Sequence, residues 1–114
     1  MDDLVQFLRD RLDEDARDAE AAGDSWYGYE PEQQIAFVSV ADARHIARHD
    51  PARVLREVEA KRQLLRIHRR YVDEPDQACL GCAGGIVWET SCPVVRLLAL
   101  PYADHPDYRE DWRP

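Results

Sequence analysis

The chain has 114 residues, 33% of them charged, and a net charge of −8. That length allows one domain with a small core, marginal on apolar burial alone. No apolar run approaches the roughly 20 residues that cross a bilayer, which excludes a membrane-spanning helix. The N-terminus MDDLVQFLRDRLDEDARDAE carries acids where a secretory signal carries bases, so the expected location is the cytoplasm, where thiols stay reduced.

The charge is divided along the chain. Residues 1–32 hold eleven acids against three bases, residues 41–72 nine bases against four acids, and residues 73–114 eight acids against three bases. The simplest reading is that acidic and basic helices pack side by side and neutralise one another.

Taken in order, residues 1–22 predict an acidic amphipathic helix. Leu4, Phe7, Leu8, Leu12, Ala16 and Ala19 recur at three- and four-residue intervals as one stripe, with Asp2 or Asp3 as cap and Gly23 as stop. The turn-rich stretch DSWYGYEPEQQ brings Trp26, Tyr27 and Tyr29, aromatics expected to close the side of a small core. IAFVSV, residues 35–40, is β-branched and apolar and predicts a short strand, paired with the aromatic stretch before it or with GIVWET, residues 85–90.

Residues 42–72 predict a basic helical pair broken at His49-Asp50-Pro51, where Asp50 suits an N-cap and Pro51 the first helical position. The second helix is expected to reach Val72, with Val54, Val58, Leu65, His68 and Val72 on its inner stripe and Arg56, Arg66 and Arg70 elsewhere. CPVVRLLAL predicts a short buried helix that Pro101 ends. The tail, residues 101–114, is read as extended and wrapped on the domain through Tyr102, Tyr108 and Trp112.

All three cysteines fall within residues 79–92. CLGC is a CxxC whose glycine permits the tight turn of a zinc knuckle, and Cys92 stands at the start of the last short helix, where the helix dipole is expected to lower its pKa. His68, inward at the end of its helix, completes a Cys3His set: His68, Cys79, Cys82 and Cys92. His105 is the alternative fourth ligand if the tail folds back. Structural zinc is expected over an iron–sulfur cluster, since clusters usually take four thiolates. The fold class is therefore a single mainly α domain over residues 1–114, with a small β-hairpin or short sheet, stapled by zinc within residues 79–100.

HIARH sets His45 and His49 four residues apart, but Ile46 stands where a metalloprotease motif carries glutamate. One histidine is expected to pack and the other to cap the helix. There is no serine triad, phosphate loop or Rossmann fingerprint, and no acid–base pair in apolar surroundings, so the chain is not expected to be an enzyme. The expected role is a small zinc-stabilised regulatory or interaction module with a protein partner. One alternative is a nucleic-acid-binding regulator using Arg44, Arg48, Arg53, Arg56, Lys61, Arg62, Arg66, Arg69 and Arg70. Another is a redox or iron–sulfur sensor built on the cysteines.

The strings HIARHDPARVLREVEAKR and ALPYADHPDYREDWRP, with the CxxC segment between them and DDLVQFLRDRLDEDA at the start, resemble an uncharacterised family of short actinobacterial and actinophage proteins. CPVVR differs from the CPTLR associated with that family, a change at packing positions and not at a proposed ligand. The resemblance implies no activity. It points only to a small regulatory or host-interaction protein.

Overall fold

One wall of the core is a helix whose apolar side chains all face one way. In a computed structural model of the chain, described for residues 2–22, 39–69, 79–82 and 92–114, helix α1 spans Asp2–Ala21 and buries Leu4, Val5, Phe7, Leu8, Leu12, Ala16 and Ala19. This is the expected stripe with Val5 added. Asp2 and Asp3 lie inside the first turn, where they face the positive end of the helix instead of capping it.

Helix α2 covers Val40–Arg48. Ser39 caps it, its hydroxyl accepting from the Asp42 N–H at 3.0 Å. Ser39 and Val40 therefore belong to a helix start and not to the end of a strand: the hydroxyl satisfies an orphan amide, and this local gain outweighs the β-propensity of one valine. The rest of that expected strand, GIVWET and the Trp26–Tyr27–Tyr29 loop lie outside the described residues, among which every regular element is helical. No helix of the described residues is long and apolar enough to cross a membrane.

The break before α3 (Pro51–Ile67) falls at His49-Asp50-Pro51, as expected. The buried Asp50 carboxylate accepts from the Arg53 N–H at 2.9 Å, Pro51 stands in the first turn, and the Arg53 guanidinium donates back to the Arg48 carbonyl at 3.0 Å. The inner face of α3 buries Val58 and Leu65, with Val54 and Leu55 packed beside them. Arg56 and Arg66 are exposed, and Arg70 and Val72 lie outside the described residues.

Helix α3 ends five residues before the expected Val72. His68 leaves helical geometry at φ −92°, ψ 83°, although its N–H still bonds the Leu64 carbonyl at 2.9 Å. The next carbonyl, of Arg69, accepts from the Leu80 N–H at 2.9 Å. Pairing with the cysteine segment thus replaces the next helical hydrogen bonds, which periodicity alone does not foresee.

Helix α4 covers Pro93–Ala99 and buries Val95 and Ala99. The α-helix stops at Ala99, and the chain tightens into a 3-10 turn at Leu100–Tyr102 that contains Pro101. The tail wraps the molecule as expected, but as successive turns and a second 3-10 turn at Glu110–Trp112, not as an extended strand. Its aromatics gather on Phe7: ring centres lie 6.4 Å away for Tyr102, 6.0 Å for Tyr108 and 5.1 Å for Trp112. The Tyr102 hydroxyl donates to Asp15 at 2.6 Å; burial, and then that carboxylate, hold the phenol well above its ordinary pKa.

Helix α1 packs against both α3 and α4, so the acidic helix lies beside the second helix of the basic pair, whereas α2 is exposed throughout. Arg62 meets Asp13 at 2.7 Å across that seam, a solvent-exposed pair worth about 0–1 kcal/mol. Leu4, Leu8, Leu12, Val95 and Cys92 form the driest part of the core.

Candidate metal centre

Three segments bring four ligand-bearing side chains to a single point. The end of α3 supplies His68, the CLGC turn supplies Cys79 and Cys82, and the residue before α4 supplies Cys92. The His68, Cys79, Cys82 and Cys92 ligand atoms all lie within 4.8 Å of one another, a cluster that could hold a metal ion. The His68 Nδ1 nitrogen faces all three sulfurs, at 3.5 Å from Cys79, 3.4 Å from Cys82 and 3.6 Å from Cys92. Cys92 Sγ lies 3.6 Å from Cys79 Sγ and 3.8 Å from Cys82 Sγ. These separations are far beyond the roughly 2.05 Å of a disulfide, and all three cysteines are free.

The cluster is continuous with the core. Cys79 and Cys92 belong to the same buried group as Leu8, Leu12 and Val95, and Cys82 packs at its margin. The Cys82 N–H closes the knuckle onto the Cys79 carbonyl at 3.2 Å. Cys92 caps α4, in the expected place, but its pKa runs opposite to expectation. Burial pushes the Cys92 thiol up, opposed by the backbone of Val95, and burial with the neighbouring thiols pushes Cys82 up to about 12. A seven-residue helix has too little dipole to offset the lost hydration of a buried thiolate. Burial thus favours the protonated form of Cys82 and Cys92.

His105 lies elsewhere. Its ring packs edge-on against Phe7, 5.5 Å between centres, faces the Arg11 guanidinium, and accepts at Nδ1 from the Asp107 N–H at 3.0 Å. Of the two histidines weighed as fourth ligand, the structure brings His68 to the cysteines.

Gly81 has a role that sequence reading did not assign. A Cβ at this position would lie 2.8 Å from Ile67 Cγ2 and 2.9 Å from His68 Nδ1, the atom on which the sulfurs converge. The glycine is therefore needed for approach of the imidazole, beyond any need of the turn itself. The Ile67 methyl can rotate aside, but the ring cannot without leaving the sulfurs. Gly81→Ala is expected to keep the helical fold while weakening metal affinity about 10–100-fold, measured by chelator competition.

Helical packing around a buried Cys3His cluster defines a small α-helical protein with a potential metal centre. The chain belongs to a family of unknown function, DUF6221, whose model matches residues 1–114. Neither the curated proteins nor the solved structures contain a match to it.

Proposed function

We propose that this is a zinc protein in which the ion is a structural staple, and that the stapled domain serves in the cytoplasm as a regulatory or protein-interaction module, not an enzyme. One observation carries the metal. An ion about 2.3 Å from sulfur and about 2.0–2.1 Å from nitrogen, at tetrahedral angles, sets edges of about 3.8 Å between sulfurs and about 3.6 Å between sulfur and nitrogen. The two sulfur–sulfur edges at Cys92 are 3.6 and 3.8 Å and the three sulfur–nitrogen edges 3.4 to 3.6 Å. A two- or four-iron cluster needs its cysteines spread around several metal atoms, whereas these surround one point. Four protein ligands leave no open position for water or substrate, which argues for a structural ion.

A protein partner is supported by the apolar side chains beside the knuckle. Ile67 and Leu80 are 54% and 46% exposed although they flank a buried centre. Metal analysis of purified protein tests the ion: one zinc per chain is expected, lost in Cys79→Ser, Cys92→Ser and His68→Ala and kept in His105→Ala. Zinc kept in His68→Ala would remove the assignment. For the partner, a complex isolated from the host is expected to dissociate on Leu80→Asp with zinc still bound.

A nucleic-acid reading keeps some support, because Arg44, Arg48, Arg56 and Arg69 are exposed and form no ion pair among the described residues. Binding that falls steeply with salt would favour it over the protein partner.

The thiol pKa values give the zinc site a defined pH dependence. Cys82 and Cys92, both held above the ordinary thiol range, must each release a proton to bind the ion. Cys79 also binds as its thiolate, so up to three protons are released in all, and zinc affinity is expected to rise by up to about a thousandfold for each pH unit between pH 6 and 8, read by competition with a chromophoric chelator. The stability consequence changes sign with the metal. In the metal-free fold the raised pKa values favour folding below the ordinary thiol pKa, and this contribution is lost as pH rises towards about 12. In the zinc-loaded fold the sulfurs are held as thiolates, so stability is present at neutral pH and lost on acidification.

A further inference from the structure

The HIARH motif is not used by the Cys3His cluster, and its structure departs from what the sequence suggests. Neither imidazole is packed into the core: every residue of α2 is exposed, and so is His49. His49 ends α2 through its backbone, the N–H donating to the Ile46 carbonyl at 3.1 Å. The two rings instead lie beside one another, 4.5 Å between centres and tilted by 47°.

We propose that His45 and His49 form a second, open metal site on the outer face of α2, for a late first-row divalent ion of the nickel(II) or copper(II) class. The warrant is geometric. An imidazole nitrogen lies about 1.2 Å from its ring centre, so a bond of about 2.0–2.1 Å puts an ion about 3.2 Å from each centre. Two rings on adjacent right-angled positions then have centres about 4.5 Å apart, whereas a tetrahedral angle spreads them to about 5.2 Å. The separation found is 4.5 Å, the right-angled value. Right-angled positions are those of square-planar, tetragonal and octahedral ions, and nickel(II) and copper(II) take them with imidazole.

Helix geometry supports the same conclusion. Residues four apart share a face, so no backbone movement is needed to bring the second nitrogen to an ion held by the first. That second bond forms at a high effective concentration, which makes a pair of rings far better than one. Two protein ligands leave at least two positions for water, a carboxylate or a ligand from another molecule. The site is thus open and exchangeable where the Cys3His centre is closed, and it does not rest on the zinc reading.

The test is a titration of Ni2+ into the zinc-loaded protein, followed by calorimetry and by amide 1H–15N spectra. One equivalent of Ni2+ is expected to bind, with paramagnetic broadening centred on the amides of Ile46 and its neighbours. His45→Gln and His49→Gln are each expected to weaken that equivalent by about a hundredfold, with His105→Gln unchanged. Both rings are exposed, so helix content measured by circular dichroism should not change in either variant. A loss below about tenfold in either variant would mean a single-imidazole contact and overturns the proposal. Broadening confined to Leu80 would place nickel in the cysteine cluster and also overturns it. Leu80 and Ile46 are read separately, so the zinc assignment can fail without deciding this one.

Discussion

Removing the metal with a strong chelator, in the presence of a phosphine reductant, is expected to lower the melting temperature by at least about 20 °C and to melt the C-terminal half first. The size follows from how the site is built. Structural zinc contributes an apparent 10–16 kcal/mol or so to folding in small zinc domains, because no preformed site exists in the unfolded chain. A loss of even about 5 kcal/mol corresponds to roughly 20 °C at about 4 °C per kcal/mol. Here the ion would join the end of α3, the CLGC turn and the start of α4, three segments connected by stretches outside the described residues. Cys92 is fully buried among Leu8, Leu12 and Val95, so loosening the cluster also disturbs the core. Cys92→Ser is expected to melt near the chelated wild type and to show no further response to chelator. An unchanged melting temperature in chelator, with no zinc in the purified protein, would defeat the staple.

Phe7→Ala is expected to cost about 3–5 kcal/mol, the range for removing a large buried aromatic. Phe7 is 7% exposed, and its ring is the common contact of Tyr102, His105, Tyr108 and Trp112. Arg11 lies over the same ring at 5.3 Å. The tail has no regular secondary structure beyond two 3-10 turns, so its position depends on these side-chain contacts with α1. Removing the ring leaves a cavity where four side chains met, and the tail is expected to become the first segment cut by trypsin, after Arg109. If the proposed zinc is bound, its content should stay at one per chain, since Phe7 supplies none of the four candidate ligands. A variant within about 1 kcal/mol of wild type in urea denaturation would show that the tail is held by something else.

The two variants separate what the core does from what the ion does. Chelation is expected to release the segments that carry the candidate ligands, whereas Phe7→Ala is expected to release the tail with those residues in place. Gly81→Ala stands between them, acting on the imidazole without removing a ligand or a core side chain.

How much of this was legible in the sequence depends on how local each determinant is. The stripe of α1, the Asp50-Pro51 start of α3 and the Cys92-Pro93 start of α4 follow from helical periodicity and from capping groups within a few residues, and those elements stand where the sequence puts them. The three cysteines announced a site because reduced thiols so closely spaced suit a metal better than a core. The C-terminal end of α3 was not legible: Arg69 is paired by Leu80, eleven residues on, and a helical pattern continuing past Ile67 cannot report that competitor. The sequence favours His68 as the fourth ligand, with His105 as the alternative if the tail folds back, and leaves that alternative open for the same reason. His68 and His105 are both plausible by spacing, and only the packing of the tail on Phe7 and Arg11 takes His105 away. The function of Gly81 and the pairing of His45 with His49 likewise belong to the folded molecule. Local periodicity and capping act between neighbours in the chain and are written in it directly; a binding site is made by distant segments meeting, and which of them meet is decided by the packing of the whole core.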